Sequence, residues 1–232
     1  MRKQGQIIRL LDCDKYQANE FWDKVVRSLP GHTSVQQVID ILEKLQPEKR
    51  TWQEVVLALG GMPKKSGWQQ YNQLLEEYNV KRLYHFTDLR NISSIIHHQG
   101  LYSWHYCQQN GINIPCPGGN RLSRELDVRN GNEDYVHLSF NHNPRMLFSV
   151  EGIRSAVVLK INPSVVCWES TKFSDVNSVD NMANIGDDLE AFTRIRFDVA
   201  LRESWKGFME RKWRQAEVLV RRHVPLCHIM DP

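Results

Sequence analysis

A glutamate that heads an apolar segment is the residue best suited to chemistry in this chain of 232 residues. Within residues 214–220, Glu217 precedes Val218 and Val220, and the alternation predicts a strand with two distinct faces. Gln215 stands two positions earlier, so an extended backbone directs both side chains to one side. A rigidly held carboxylate can bind a ribose hydroxyl of NAD and stabilise positive charge on the sugar. It can also take a proton from an attacking group. The alternative is a solvated carboxylate at a strand edge.

Three earlier blocks and the glutamate segment occur in an order that is typical of one protein family. The blocks are residues 83–87, 134–140, 143–148 and 215–220. Their motifs include Tyr-His-x-Thr in the first block and Gln-Ala-Glu-x-Leu-Val in the last. Together they resemble the DarT family, bacterial toxin ADP-ribosyltransferases that modify nucleic-acid bases. The resemblance covers roughly residues 82–228.

The resemblance implies an α+β fold, with a mixed or antiparallel split-sheet ADP-ribosyltransferase domain over residues 81–232 behind an N-terminal helical module over residues 1–80. It also implies a reaction in which ADP-ribose passes from NAD to a base of a nucleic acid and nicotinamide is released. A single strand is expected because the base must leave its stack. DNA and RNA both remain open as targets. An antitoxin partner is implied as well, either a protein that blocks the site or a hydrolase that removes the mark.

The same resemblance assigns roles to individual residues. Glu217 is the catalytic carboxylate, and Gln215 positions the acceptor. His85 faces the dinucleotide, and Thr87 helps to hold it. Tyr135 begins a strand from which an aromatic ring can stack on nicotinamide.

Two further cofactor contacts are expected from the strand block and the block that follows it. Phe140 and Met146 are the candidates, and ordinary core packing explains each of them equally well. His137 departs from the family pattern, which has a proline at this point of the strand.

An arginine is expected to contact the NAD phosphates, because a guanidinium group is suited to such binding. The spacing of residues 120–129 departs from the family pattern, which leaves three candidates open. Arg124 is the catalytic assignment, Arg121 is a second, cofactor-binding candidate, and Arg129 is the third.

Two other functions remain open. One is an NAD glycohydrolase that passes ADP-ribose to water. The other is a binding protein with a degenerate transferase fold. Asp188 and Glu190 are additional acids, but nothing in the sequence connects them with Glu217.

The net charge of +3 and the pI of about 8.6 are too mild to establish nucleic-acid binding. Six basic residues nevertheless surround Glu217 in the sequence. They are Lys206, Arg211, Lys212, Arg214, Arg221 and Arg222. They form either a solvated face or a surface that attracts phosphates.

The cysteine pattern and the hydropathy favour a cytoplasmic protein without a resident metal. Five scattered cysteines contain no Cys-x-x-Cys motif, which is typical of reduced thiols. His105, Cys107 and Cys116 lack a fourth zinc ligand at a suitable spacing. No apolar segment approaches the roughly 20 residues that a membrane helix needs. We therefore expect no metal, no membrane contact and a cytoplasmic location.

Helical spacing and capping patterns predict consecutive helices in residues 1–80, with starts at Ser34, Thr51 and Ser66. This module is expected to pack on the second domain or to bind a partner, and direct nucleic-acid binding is the alternative. Further along, strands are predicted over residues 83–86, 135–140, 156–161, 194–200 and 217–224, short helices over residues 187–192 and 204–212, and long loops over residues 103–133 and 169–186.

Overall fold

The protein is described by a computed structural model that covers residues 2–29, 33–119, 121–142 and 155–230. It forms two compact units, Met1–Trp68 and Gln69–Pro232. None of the described helices is both long enough and apolar enough to cross a bilayer.

The first unit is helical, as the spacing of its apolar residues predicts. Its helices are α1 (Arg2–Leu11), α2 (Lys15–Ser28), α3 (Val35–Lys44) and α4 (Trp52–Ala58), with a 3-10 helix at Pro47–Lys49. The predicted capping box of α3 is confirmed. Ser34 Oγ accepts from the Gln37 amide at 3.2 Å, and the Gln37 side chain accepts from the Ser34 amide at 2.9 Å. Val25, Val38 and Leu42 are completely buried in the core of this unit.

The helix α5 (Trp68–Glu77) contributes its buried residues to the second unit. The Tyr71 ring lies 5.8 Å from the Phe173 ring and 5.4 Å from the Phe192 ring. Leu75, one turn further, is also buried. The two compact units therefore divide at Trp68, the first residue of this helix.

The second unit combines nine strands and several short helices among its described residues. The strands are β1 (Leu83–Asp88), β2 (Gly100–Tyr102), β3 (Tyr135–Ser139), β4 (Ala156–Ile161), β5 (Thr171–Ser174), β6 (Ile185–Gly186), β7 (Glu217–Arg221), β8 (His223–Pro225) and β9 (Ile229–Met230). The helices after α5 are α6 (Ile92–His97), α7 (Trp104–Gln109), α8 (Arg121–Asn130), α9 (Leu189–Thr193), α10 (Phe197–Ala200) and α11 (Gly207–Trp213).

Seven of the described strands form one antiparallel sheet in the order β6-β5-β7-β3-β1-β4-β9. In its centre β1 and β3 share a single register pair, Tyr84 with Ser139, whereas β1 pairs with β4 over its whole length. The sheet therefore opens between β1 and β3 into two halves. The predicted α+β fold, in which a helical region precedes a split-sheet domain in the chain, is confirmed.

Several predicted elements are wrong. Residues 194–200 contain α10 instead of a strand, because Phe197, Val199 and Ala200 are buried on more than one side of a short helix. The segment 103–133 is not one loop, since it contains α7 and α8. The segment 169–186 contains β5 and β6.

The predicted strand over residues 217–224 is divided into two at Arg222. This residue has a positive φ of 66°, which turns the backbone out of the extended conformation. The chain consequently leaves the large sheet after β7, and β8 pairs with β2 in a separate two-stranded sheet.

Gly100 is required where β2 meets β8. A Cβ atom at this position would lie 2.8 Å from the Val224 carbonyl oxygen and 3.3 Å from the Pro225 Cα. We expect Gly100→Ala to lower the free energy of unfolding by about 1–3 kcal/mol, because backbone atoms cannot move aside without loss of the pairing. Gly118→Ala is the control, since its added methyl group would meet no atom within 4 Å. Equal denaturation midpoints for the two variants would contradict the expectation.

Candidate active site

A cavity of about 370 Å³ lies in the second unit at the opening between β1 and β3. Its volume is in the range of small-molecule sites. Residues of β1, β2, β3, α7 and α8 line it, together with residues 177–179 and Glu217. Part of the wall is apolar and is formed by Ile95, Leu101, Trp104, Ile112, Ile114 and Val128.

Glu217 is the carboxylate of this cavity and is only 5% exposed. It is the first residue of β7 and pairs with Ser139 of β3. Its Oε2 accepts from the Ser178 backbone amide at 2.9 Å, and Asn177 Nδ2 lies 3.5 Å from its Oε1. Burial opposes ionisation, but the hydrogen bond and charge of His137, with the bonds from Ser178, hold the pKa of Glu217 below its ordinary value. The site therefore keeps this carboxylate ionised.

His85 lies across the opening from this carboxylate. Its Nδ1 lies 3.0 Å from the backbone carbonyl oxygen of His137 and must donate to it, because a carbonyl oxygen only accepts. Burial lowers the pKa of His85 to about 4, so the ring is neutral near pH 7. The proton is then on Nδ1, and Nε2 is a hydrogen-bond acceptor.

Thr87 lines the cavity, but its hydroxyl group does not hold His85 as the resemblance implies. Thr87 Oγ1 accepts from Asn91 Nδ2 at 3.0 Å. Asn91 in turn bonds both backbone groups of Cys116, at 2.6 and 2.9 Å. The threonine therefore connects β1 with the segment before α8, while the backbone of β3 fixes His85.

The alternation of β3 separates the predicted cofactor residues into two groups. Tyr135 and His137 line the cavity, and the Lys172 ammonium group lies 4.7 Å from the Tyr135 ring centre. Phe140 is on the opposite face, 2% exposed and packed edge to face on Phe197. Phe140 is therefore packed in the core and is not part of the cavity wall. Met146 lies outside the described residues.

Among the three candidate arginines, Arg124 lines the cavity. Its guanidinium carbon lies 5.1 Å from the Trp104 ring centre, and Nη1 lies 3.4 Å from the Gly118 carbonyl oxygen. Arg121 is exposed on the same helix, where it forms an ion pair with Glu125 at 2.7 Å and does not reach the cavity wall. Arg129 is also exposed and outside the wall.

Gln215 is not part of the cavity wall. It lies in the turn before β7, and its Nε2 donates to the Arg211 carbonyl oxygen at 2.9 Å. Because the extended backbone begins only at Glu217, the alternation that would place both side chains on one side does not reach Gln215. The two other acids are also elsewhere: Asp188 caps α9, and Glu190 pairs with Arg194.

The six basic residues near Glu217 in the sequence do not line the cavity. Lys212 Nζ is 2.8 Å from Asp180, and the buried Arg214 donates to the Arg202 carbonyl oxygen. Arg221 and Arg222 lie 3.9 and 3.7 Å from Asp134. Within the described ranges no group of three or more His, Cys, Asp or Glu side chains has a metal-binding arrangement.

Three residues that contact Glu217 or His137 carry no recognisable motif in the sequence. Asn177 and Ser178 come from a segment predicted as a loop, and Asp127 comes from α8, which was not predicted. His137, noted only as a departure from the family pattern, lies 3.4 Å from Glu217. His137 is two residues after Tyr135, and side chains at this spacing lie on the same face of a strand. This spacing is the sequence feature that indicates His137 as a residue of the site.

A sheet that opens in its centre, with a buried glutamate on one side of the opening and a neutral histidine on the other, defines the class of the NAD-dependent ADP-ribosyltransferases. The chain belongs to the DarT family. The model of that family, described as ssDNA thymidine ADP-ribosyltransferase, matches residues 84–231, which confirms the family resemblance seen in the sequence. No curated protein matches the chain by sequence.

Solved structures of DarT proteins share the fold. Thermus sp. 2.9 DarT in complex with ADP-ribosylated ssDNA is 19% identical, with a TM-score of 0.56 over 65% of this chain and 79% of that chain. The same protein in complex with NAD+ is 20% identical, with a TM-score of 0.52 over the same shares. Thermosipho africanus DarTG in complex with ADP-ribose is 18% identical, with a TM-score of 0.52 over 64% of this chain and 42% of that chain.

Proposed function

We propose that the protein transfers ADP-ribose from NAD to the base of a thymidine in single-stranded DNA. The observation that carries the proposal is Glu217, a buried and ionised carboxylate at the opening of the split sheet. The family description supplies the DNA base as acceptor, and the Thermus sp. 2.9 complex with ADP-ribosylated ssDNA supports the same choice.

The chemistry requires charge stabilisation more than covalent help from the protein. The bond between the ribose C1′ and nicotinamide breaks, and its electron pair leaves with nicotinamide. The acceptor atom of the base then bonds to C1′ and loses a proton, for which the Glu217 carboxylate is the acceptor. A fixed carboxylate beside the sugar stabilises the positive charge that develops there, and the water-poor surroundings of Glu217 strengthen the effect.

The other cavity residues divide the binding of NAD among them. His85 presents Nε2 as an acceptor, which fits a hydroxyl or amide donor of the dinucleotide. Tyr135 offers an aromatic face on the same side of β3 as His137. Arg124 supplies a guanidinium group for the pyrophosphate. Thr87 forms part of the cavity wall on β1.

The direct test incubates the purified 232-residue chain with NAD labelled in its adenosine part and with equal amounts of single-stranded DNA and RNA of the same sequence. We expect label in thymidine-containing DNA and none in DNA without thymidine. Label in RNA alone would contradict the proposed target. Nicotinamide release without a labelled polymer would indicate a glycohydrolase, and no turnover would indicate a binding protein.

The arginine assignment gives a separate prediction. Arg124→Ala is expected to reduce the transfer rate by about 10²-fold, because the variant loses a charged contact made inside the cavity. Arg121→Ala removes an equal charge from the same helix but outside the cavity wall, and its rate is expected to stay within about twofold. Transfer rates at saturating DNA measure both. The reverse order of effects would move the site arginine to Arg121.

We also propose an antitoxin partner, either a blocking protein or an ADP-ribosyl hydrolase, and a toxic effect in the cytoplasm. The family resemblance and the DarTG neighbour support the partner. The first unit, Met1–Trp68, is proposed as a surface for docking or partner binding. Expression of the wild-type chain is expected to stop growth, and Glu217→Ala is expected to relieve the effect. Growth arrest by both forms would contradict this proposal.

A further inference from the structure

His137 lies between two carboxylates that come from different elements. Its Nδ1 is 3.4 Å from Glu217 Oε2 and 3.3 Å from Ser178 Oγ. Its Nε2 is 3.8 Å from Asp127 Oδ1 on α8. All three titratable side chains line the cavity. One imidazole ring therefore connects the catalytic carboxylate with a second acid.

The strand register creates this arrangement. Ser139 is directly opposite Glu217 across β3 and β7, and His137 is two residues from Ser139 on the same face. Diagonal neighbours of this kind are within reach of a long side chain. Asp127 approaches from the other side, since it lies on α8, three residues after Arg124 on the face that meets the cavity. Both ring nitrogens thus have an acidic neighbour.

A buried carboxylate needs a compensating charge or a full set of hydrogen bonds. Among the described residues, His137 is the one basic side chain within ion-pair distance of Glu217. Asp127 Oδ1 is a buried oxygen that accepts no hydrogen bond from the described part of the chain. The negative charge of Glu217 is consequently balanced by an imidazole, which can lose its proton, and not by a permanent cation.

We propose that His137 is a positioning residue that holds Glu217 in its reactive orientation as the protonated imidazolium, and that Asp127 controls the proton affinity of His137. The inference rests on the proposed transferase function, because it concerns the same site. If His137 acts in this way, the transfer of ADP-ribose requires that His137 carries its proton.

The groups that face His137 set the direction of its titration. Burial opposes its charge, but the bond and charge of Glu217, the charge of Asp127 and a hydrogen bond to the Asn132 backbone raise the pKa of His137 above its ordinary value. Burial raises the pKa of Asp127 to about 6; the charge of His137 opposes this rise, and Glu217 and Glu133 add to it. Asp127 is therefore ionised at neutral pH. His85, which bonds the His137 carbonyl oxygen, is neutral there.

The sign of the pH dependence follows from these values. Glu217, with its lowered pKa, stays ionised through neutral pH, so its titration limits transfer only on the acidic side. His137 carries its proton below its raised pKa and loses it as the pH rises further. Transfer is therefore expected to decline on the alkaline side as His137 becomes neutral. Removal of the Asp127 charge should move that decline to lower pH.

The test combines an NMR titration with a pH profile of transfer. The 232-residue chain is labelled with ¹³C in its histidine rings, and His137→Gln identifies the His137 signal among the nine histidines. We expect the wild-type signal to titrate above pH 6.5 and to shift down by about one pH unit in Asp127→Asn, roughly a tenfold loss of proton affinity. Glu125→Gln is the matched control, because its carboxylate is exposed on the same helix outside the cavity. It should leave the titration unchanged.

The activity profile separates a positioning role from a merely structural one. In Asp127→Asn the alkaline decline of kcat should move in parallel with the NMR titration, whereas KM for NAD should stay within about twofold. A wild-type His137 that titrates at or below pH 6.5, or a titration that Asp127→Asn leaves unchanged, would overturn the inference. If the wild-type chain transfers nothing to DNA, the proposed function fails while the titration still decides the link between Asp127 and His137.

Discussion

Glu217→Gln is expected to abolish most of the transferase activity, with a fall in kcat of about 10³-fold or more. The amide oxygen of glutamine can still accept the bond from the Ser178 backbone amide, so the local structure should be preserved. The variant loses the negative charge, and with it the stabilisation of the cation that develops on the ribose. Single-turnover transfer from labelled NAD to thymidine-containing DNA measures this loss.

A matched control distinguishes this charge effect from a general one. Glu203→Gln removes a carboxylate that is exposed and outside the cavity wall. It should retain the wild-type rate within about twofold.

NAD binding by Glu217→Gln, measured by calorimetry, should weaken only a few-fold, because the carboxylate acts mainly in the transition state. A rate for Glu217→Gln within about tenfold of wild type would remove Glu217 from its catalytic role.

Tyr71→Ala is expected to have the largest effect on stability, a loss of about 3–5 kcal/mol in the free energy of unfolding of the second unit. The Tyr71 ring is 3% exposed and packs against Phe173 and Phe192, which are completely buried. Truncation leaves a cavity beneath the large sheet that these rigid aromatic neighbours cannot fill. Denaturation followed through near-UV dichroism measures the loss.

Two controls define the cause of that loss. Gln73→Ala changes an exposed residue on the same helix and should cost less than about 0.5 kcal/mol. Tyr71→Phe keeps the ring and should retain most of the packing energy. If Tyr71→Ala is no less stable than Gln73→Ala, then α5 does not belong to the core of the catalytic unit, and the boundary between the units would lie closer to residue 80.

The sequence predicts elements well where local chemistry decides the structure. The capping box at Ser34 forms as expected, and the alternation after Glu217 yields β7. Prediction from the sequence fails where tertiary packing determines the secondary structure. Helix α8 has no buried residue among its ten positions, so no apolar period marks it. Residues 194–200 alternate like a strand but fold as a short helix, because neighbouring aromatic rings surround Phe197.

The same division applies to the site. Glu217 and His85 are found from motifs, because each lies on a strand whose face the alternation fixes. Phe140 could have been excluded by that alternation, since it follows Val136 and Leu138 on the core face. The proximity of Asp127 and His137 could not be predicted from the sequence, because it depends on how the polar helix α8 packs on the sheet.

The opening between β1 and β3 has a consequence for the evolution of the site. Apart from the pair Tyr84 and Ser139, the facing peptide groups of the two strands do not form a ladder, and His85 occupies one β3 carbonyl oxygen. The edges of β1 and β3 that face the opening therefore present main-chain N–H and C=O groups. Every residue type except proline carries both groups. The shape of the opening therefore places few demands on side-chain identity, whereas the binding of NAD is proposed to depend on His85, Tyr135 and Arg124. Substitutions can then accumulate along both strands without loss of the cleft, as expected of a fold that persists at 19% identity.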